Sequence, residues 1–295
     1  MKNQQRSSYI LYILAMTIYS TIGIFRKYIP LSSGLLVFAR GLIGGIFLLV
    51  WVKCRKGSLK LDTDKRSFWR LILTGFALGL NWILLFEAYR YTSVSIATLC
   101  YYMQPTILIL LSPLLFKEKI TLKKGFCALA AVLGMVCVSG VVDTSHAMDQ
   151  NQWIGIGLGL SAAVFYALVI ILNKKTPVQN IYSKTMTELF SSTIILVPYL
   201  LLTENFASIS LDASSIIMIL VVGILHTGVA YAMYFGSIQS LPSQTVAVLS
   251  YIDPIMALFL SFVVLKEALT PLQWVGAVVI IGSAILSEIT LPKKA

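Results

Sequence analysis

Ten apolar stretches, each about 20 residues long, alternate with short polar segments rich in Lys, Arg, Pro and Gly. They lack the period-two alternation of half-buried strands, and about 20 helical residues cross a hydrocarbon core of about 30 Å. Lipid cannot hydrogen-bond a backbone, so each crossing segment must satisfy its own peptide groups as a helix. The pattern therefore predicts an all-α membrane protein with ten transmembrane helices, at 8–28, 34–53, 69–90, 93–116, 123–142, 152–173, 182–203, 213–236, 242–265 and 271–289.

The basic residues between these stretches predict the orientation. With a cytoplasmic N-terminus, 18 of the 23 Lys and Arg residues lie on the cytoplasmic side and 4 on the outer side, with Arg40 inside a helix. Such a bias follows the positive-inside rule. We expect a multi-pass protein of the inner or plasma membrane with both termini in the cytoplasm. The same bias explains the net charge of +11 without a nucleic-acid partner.

Two parts of the chain repeat each other without a gap. Residues 101–121 read YYMQPTILILLSPLLFKEKIT and residues 250–270 read SYIDPIMALFLSFVVLKEALT. At an offset of 149 the shared residues are Tyr102 and Tyr251, Pro105 and Pro254, Lys117 and Lys266, Glu118 and Glu267, and Thr121 and Thr270. Tyr19 and Tyr166 match in the same way at an offset of 147. The sequence therefore predicts two five-helix units, 1–145 and 146–295.

Five is an odd number, so the second unit must enter the membrane from the opposite side. Inverted repeats of this kind are typical of secondary transporters, whose substrate site lies near the midplane between the halves. We expect alternating access to such a site. The lipid bilayer and a small-molecule substrate are the expected partners, with protons or another ion as a candidate coupling partner, in a monomer or homodimer.

These features resemble the drug/metabolite transporter superfamily, in particular its EamA group of ten-helix proteins. The resemblance rests on the two units, the prolines Pro105 and Pro254, the Glu118 and Glu267 corners followed by Thr, and the segment FARGLIGG around Arg40. It covers nearly the whole chain. It implies a central cavity lined by helices 1–4 and 6–9, with helices 5 and 10 outside, and it leaves the substrate open.

Polar residues deep in the predicted helices are the first candidates for substrate binding. Asp253 directly precedes Pro254, and its repeat-mate Gln104 directly precedes Pro105. A charge at this depth costs about 2.5–3.5 kcal/mol on insertion scales, so it should face a cavity or a partner. Glu188 is a third candidate, in predicted helix 7. For all three the competing interpretation is structural, as a polar group that seals a kink or pairs with another helix.

Aromatic residues at equivalent positions are the second group of candidates: Tyr19 with Tyr166, Trp82 with Tyr231, and Tyr102 with Tyr251. Aromatic walls near a carboxylate suit a cation. They equally suit an aromatic amino acid or base by stacking, or they pack helices. Asn81, beside Trp82, adds a possible polar contact.

Arg40, Pro105, Pro254, Glu118 and Glu267 are predicted to have gating or structural roles. Arg40 matches Glu188 at an offset of 148, and for Arg40 we favour a packing role. His226 is the one histidine within a predicted span, where helix packing is a more common role than proton relay.

The sequence offers no signature of catalysis or of cofactor binding. It has no H-E-x-x-H, no G-x-S-x-G and no Walker motif, so we expect neither an enzyme nor direct use of ATP. With two histidines and no C-x-x-C pair, no metal site is predicted. We expect an exporter of a cationic or zwitterionic metabolite such as an amino acid or amine. The alternatives are a passive facilitator, an importer of a nucleobase-, choline- or sugar-type solute, and an intramembrane enzyme.

Overall fold

The computed structural model describes residues 2–61, 63–116, 121–139, 150–176, 180–206, 211–238, 241 and 249–288, and within these ranges the regular structure is helical throughout. The helices are α1 (Lys2–Ser20), α2 (Ile22–Tyr28), α3 (Ser33–Cys54), α4 (Lys65–Tyr91), α5 (Val94–Tyr101), α6 (Gln104–Phe116), α7 (Leu122–Ser139), α8 (Gln150–Lys174), α9 (Ile181–Thr203), α10 (Ala213–Val221), α11 (Ala230–Ile238), α12 (Ile252–Leu265) and α13 (Pro271–Glu288). A π-helical segment, Val222–Val229, joins α10 to α11.

Among the described residues, seven helical stretches are long and apolar enough to cross a membrane: Arg6–Tyr28, Ser33–Cys54, Lys65–Tyr91, Val94–Leu111, Gln150–Asn173, Ile181–Thr203 and Ala213–Ser237. Two shorter apolar helices follow, at Ile252–Leu265 and Pro271–Ser287. The all-helical membrane fold is thus present, whereas the number of ten spans stays a prediction. Residues 242–248, in the predicted ninth span, lie outside the described residues.

Two helices are interrupted at equivalent positions of the predicted repeat. Tyr102 ends α5 with φ −76° and ψ 6°, and Tyr251 precedes α12 with φ −75° and ψ −4°. Pro105 and Pro254 lie in the first turn of the helices that follow, where a missing N–H costs nothing. The prolines therefore begin new helices rather than kink continuous ones.

The threonine that follows each Lys-Glu corner caps the next helix. The Thr270 hydroxyl accepts a hydrogen bond from the Gln273 N–H at 3.3 Å, while the Gln273 side chain accepts one from the Thr270 N–H at 2.9 Å. This is a reciprocal capping box, with Pro271 at the first helical position. Its repeat-mate Thr121 accepts a hydrogen bond from the Lys124 N–H at 3.3 Å. The repeated threonine thus marks where α7 and α13 begin.

Helix packing follows the same repeat. α1 packs on α11 as α8 packs on α4, α12 packs on α1 as α6 packs on α8, and the π-helical segment packs on α3 as α4 packs on α9. Equivalent helices also pair with each other: α3 with α9, and α7 with α13. This pattern fits two similar units, each of which packs on the other through equivalent helices. Their inverted orientation in a membrane stays a prediction.

One close contact fixes α4 against α9. A Cβ placed on Gly75 of α4 would lie 2.5 Å from the Glu188 carbonyl oxygen and 2.6 Å from the Ser191 Cβ. Only glycine fits there without moving a helix, and small residues of this kind let membrane helices approach closely. Large apolar side chains such as Leu202 and Val278 cover the outer surface, where lipid would contact them.

Candidate functional site: a tyrosine-lined cavity

A cavity of about 780 Å³ lies inside the helix bundle. Its described lining comes from α1 to α6, α8, α9, α11 and α12, and none of it comes from α7, α10 or α13. This size is typical of sites for small organic molecules. Nine tyrosines contribute to the wall: Tyr12, Tyr19, Tyr89, Tyr101, Tyr102, Tyr166, Tyr231, Tyr234 and Tyr251.

The structure brings together nine of the ten residues predicted to bind substrate. The cavity is lined by Tyr19, Trp82, Tyr102, Gln104, Tyr166, Glu188, Tyr231, Tyr251 and Asp253. Arg40 and Pro105 line it as well. Pro254 and Glu267 lie elsewhere, and Glu118 lies outside the described residues. That these side chains bind a solute stays a prediction.

Asn81 is the candidate that lies away from the cavity. It is fully buried, and its amide donates a 2.6 Å hydrogen bond to the Ala162 carbonyl oxygen. Asn81 and Trp82 are adjacent in α4, so their side chains point about 100° apart around the helix axis. Trp82 faces the cavity, whereas Asn81 faces α8. Asn81 therefore holds α4 to α8.

Asp253 is anchored across the two predicted units. The Tyr102 hydroxyl donates a 2.6 Å hydrogen bond to its Oδ2 atom. The Tyr102 ring lies 6.4 Å from the Tyr251 ring, and nearby Tyr101 stacks on Tyr166 with 5.3 Å between ring centroids. The carboxylate thus sits among aromatic rings where two helices begin. Hydrogen bonds to a charged group contribute about 1.5–3 kcal/mol.

Glu188 is buried in the cavity wall, with only 7% of its surface exposed. Its Oε1 atom has no hydrogen-bond partner within the part of the chain that the structure describes. An unsatisfied buried acceptor costs about 1–3 kcal/mol, and more when charged. The close approach of α4 at Gly75 fixes the stretch of α9 backbone that carries this carboxylate. It is available to a donor that enters the cavity.

Arg40 lies over an aromatic platform. Its guanidinium carbon is 3.9 Å from the Trp82 ring centroid and 5.4 Å from that of Phe86. Its Nε atom donates a 3.1 Å hydrogen bond to the Thr227 hydroxyl, in the π-helical segment. These contacts fit the packing role, which stays a prediction, and the side chain also lines the cavity.

A second aromatic cluster forms the wall between α1 and α11. Tyr19 makes an edge contact with Tyr231 at 5.7 Å and with Tyr234 at 6.4 Å between ring centroids. The Tyr19 hydroxyl is buried and has no hydrogen-bond partner within the described ranges. The sequence analysis missed Tyr234 and Tyr12. Spacing would have found both, because Tyr234 is three residues after Tyr231 and Tyr12 is seven before Tyr19, on the same helix faces.

His226 lies outside the cavity lining. Its Nε2 atom is 2.7 Å from the hydroxyl of Thr21, at the break between α1 and α2, and its ring makes an edge contact with Phe25 at 5.0 Å. These contacts join two helices, which fits the packing role. No cluster of three metal-ligating side chains occurs among the residues that could be searched.

Polar contacts join several helices beyond one end of the cavity. Lys27 and Glu267 form an ion pair at 3.7 Å, and the Ser95 N–H donates a 3.4 Å hydrogen bond to Glu267. Lys266 has a left-handed backbone, with φ 56°, which turns the chain back so that Glu267 also bonds the Ser261 hydroxyl. At the opposite end the cavity reaches Asn173 and Lys184.

A helical bundle with an apolar exterior and an internal cavity that contains buried charges is typical of membrane transporters. Comparison with known protein families points to the same class of protein. The model of the EamA-like transporter family matches the chain twice, at residues 6–140 and 153–289. The chain therefore belongs to the EamA-like transporter family, within the drug/metabolite transporter superfamily.

Individual proteins are similar to this chain over most of its length. The chain is 29% identical over 295 residues to the transporter YxxF of Bacillus subtilis (strain 168), covering 99% of this chain and 93% of that protein. It is 26% identical to protein PecM of Dickeya dadantii (strain 3937), covering 75% and 73% of the two chains. One solved crystal structure shares the fold, with a TM-score of 0.67 at 18% identity over 95% of this chain and 96% of the other. Both the family and the first of these relatives point to a transporter rather than an enzyme.

Proposed function

We propose that the protein is a secondary transporter that exports a small organic solute with a cationic or zwitterionic group by alternating access. The observation that carries the proposal is the pair of carboxylates in the cavity wall, Glu188 of α9 and Asp253 of α12, both from the second predicted unit. Intramembrane charges are costly and are retained where they serve a ligand, an ion or a partner.

The walls around these carboxylates favour a cation. A positively charged group over the face of a Tyr or Trp ring gains about 0.5–2 kcal/mol, more when water is excluded. Nine tyrosines line the cavity together with these carboxylates, and Trp82 already stacks against Arg40. A purely anionic solute such as a phosphate ester would meet two carboxylates and would need several cationic groups.

The two ends of the cavity favour alternating access. The cluster of Lys27, Ser95 and Glu267 joins helices at the end predicted to be external. The cavity extends to Asn173 and Lys184 at the end predicted to be cytoplasmic. In this conformation a solute would enter from the cytoplasm, the side from which an exporter is loaded. No nucleotide-binding motif is present in the sequence, so an ion or solute gradient would drive the cycle.

The test is sided transport by the purified protein in proteoliposomes of checked orientation, with radiolabelled amines, amino acids, choline and nucleobases. We expect transport of a cationic or zwitterionic solute by the wild type and its loss in Asp253→Asn at normal protein yield. Asn keeps the shape of Asp, so this change tests the charge. Gln104→Glu should also disturb transport, because it places a further carboxylate in the cavity wall, at the position of the first unit that is equivalent to Asp253.

Glu87→Gln is the matched control. Glu87 is a carboxylate paired with Arg90 at 3.1 Å, and it does not line the cavity, so transport should persist. Wild-type transport and pH profile in Asp253→Asn would return Asp253 to a structural role. Transport of a pure anion that ignores this change would reject the proposed substrate class.

A further inference from the structure

A narrow groove of about 220 Å³ lies on the outside of the bundle, between α7 and α13. It is lined by exposed residues such as Phe126 and Leu286 and by buried ones such as Cys127 and Ser283. The Ser283 hydroxyl donates a 2.9 Å hydrogen bond to the Ile280 carbonyl oxygen, so it offers no unsatisfied donor to the groove. The groove is smaller than the about 300–1,000 Å³ typical of sites for compact small molecules. Its size and its lining therefore suit a thin apolar chain.

Two glycines explain why the groove opens at one end of this helix pair. A Cβ on Gly276 would lie 2.5 Å from the Gly134 carbonyl oxygen, and one on Gly134 would lie 2.9 Å from that of Gly276, so the backbones of α7 and α13 touch there. The groove residues all precede Gly134 in α7 or follow Gly276 in α13. At Gly282, farther from this contact, no heavy atom lies within 4 Å of an added Cβ. The two helices thus leave room between them towards the start of α7.

The end of the groove at the start of α7 is basic. Lys123 precedes Phe126 by three residues and Cys127 by four, so it lies on the same face of α7 as these groove residues. Lys124 is next to it, and the described first turn of α7 has no acidic residue. The start of a helix carries a partial positive charge of its own, which adds to that of the two lysines. This end is predicted to be cytoplasmic, where it would face the leaflet that carries anionic lipids.

We propose that the groove binds one acyl chain of an anionic phospholipid and that Lys123 and Lys124 bind its phosphate. The apolar lining accounts for the chain, and the paired cations beside it account for the headgroup. A zwitterionic phospholipid offers the same chains but brings a cationic group against the lysines, so it should bind more weakly. Because α7 and α13 contribute none of the described cavity lining, this lipid site is separate from the central cavity. The bound chain would fill the space between α7 and α13 and stabilise their contact.

The experiment is native mass spectrometry of the purified full chain, with phosphatidylglycerol and phosphatidylcholine of identical acyl chains as probes. This method counts the bound lipids and the protein copies in each complex. We expect the first phosphatidylglycerol to bind about thirtyfold more tightly than the first phosphatidylcholine, since two lysines contribute about 1 kcal/mol each towards an anionic headgroup. The bound lipid should also raise the melting temperature of the protein.

A substitution that fills the groove tests the place of the acyl chain. Gly282→Leu adds a side chain to the open part of the groove and should remove the tightly bound lipid. Gly157→Leu is the matched control, because Gly157 in α8 also has no heavy atom within 4 Å of an added Cβ and does not line the groove. We expect the control to bind phosphatidylglycerol as the wild type does.

A substitution of both lysines tests the place of the headgroup. Lys123→Gln combined with Lys124→Gln should reduce the preference for phosphatidylglycerol from about thirtyfold to about one. Lys65→Gln combined with Arg66→Gln is the matched control, because it removes a basic pair from the first turn of α4. We expect this control to keep the full preference.

Several outcomes would overturn the proposal. These are equal binding of the two lipids by the wild type, a full preference in the double lysine variant, and displacement of the lipid by an equal concentration of glycerol phosphate, which has no acyl chain. If Gly282→Leu converts a dimer into a monomer, the groove is an interface between two copies of the chain and the proposal is also wrong. Should Gly282→Leu fail to fold, the lysine variants and the competition with glycerol phosphate still decide. None of these outcomes depends on transport.

Discussion

The hydroxyl of Tyr102 donates a 2.6 Å hydrogen bond to Oδ2 of Asp253, and these two residues belong to different matches of the family. Tyr102 ends α5, and Asp253 lies in the first turn of α12. The bond therefore ties together the two places where equivalent helices are interrupted. It also fixes one carboxylate in the cavity wall while Glu188 keeps an oxygen without a partner.

A double-mutant cycle tests this bond. Tyr102→Phe should destabilise the protein by about 1–3 kcal/mol, because it leaves a carboxylate without its donor. In an Asp253→Ala background the same change should cost less than about 0.5 kcal/mol, since no carboxylate remains to bind. Thermal unfolding of the four proteins in one detergent gives the coupling. Equal costs in both backgrounds would show that the bond contributes nothing to stability.

The contact between α4 and α9 predicts a steric effect at Gly75. Gly75→Ala places a methyl group 2.5 Å from the Glu188 carbonyl oxygen, so the helices must separate. Such overpacking costs about 1–3 kcal/mol. The displacement of Glu188 should also weaken binding of a cationic ligand. Melting temperature and ligand affinity are the measurements.

Gly157→Ala is the matched control for Gly75→Ala. No heavy atom lies within 4 Å of a Cβ at Gly157, in α8. Because alanine favours a helix by up to about 1 kcal/mol over glycine, this change should be neutral or stabilising. If both substitutions have the same effect, helix propensity and not helix contact determines the response at Gly75.

The contacts of Glu267 predict how one end of the cavity is kept closed. Glu267→Gln removes the ion pair with Lys27 and weakens the bond from the Ser95 N–H. A partly exposed ion pair and one hydrogen bond together contribute about 1 kcal/mol, so the open population should rise about fivefold. Labelling of Ser95→Cys by an impermeant maleimide, in a protein without its native cysteines, reports this opening.

Glu87→Gln serves as the control for that labelling experiment. It removes another carboxylate from an ion pair, that with Arg90, without touching Glu267. We expect its labelling rate to equal that of the parent protein. Identical labelling rates in the parent protein, Glu267→Gln and Glu87→Gln would rule out a gating role for Glu267.

The charge bias of the connecting segments predicts the orientation in the membrane. Ala147→Cys should be labelled by an impermeant reagent from outside intact cells, whereas Ser58→Cys should react only after the membrane is opened. Labelling of Ala147→Cys from the cytoplasmic side alone would falsify this orientation.

Much of the local structure could be predicted because it depends on local chemistry. The lengths of the apolar runs placed helices close to their observed bounds, as in 182–203 against Ile181–Thr203. This feature needs only the residues next to it in the chain. The repeated prolines, by contrast, were expected within continuous helices and instead lie where α6 and α12 begin.

The direction in which each side chain points was harder to predict. In a soluble protein the polar face of a helix reveals its exposed side, but lipid and protein interior are both apolar, so membrane helices carry little such signal. Asn81 and Trp82 are adjacent and both seemed suited to the cavity, yet only Trp82 lines it and Asn81 binds α8.

The sequence by itself determined the class of protein, the repeat and the presence of opposite charges at Arg40 and Glu188. Only the tertiary structure decided that these two side chains share one cavity, and that Arg26 donates hydrogen bonds from both terminal nitrogens while Arg40 donates one from Nε. The physical reason is that a charge in a membrane helix must find a partner, and the chain alone does not show whether that partner is another residue or a ligand.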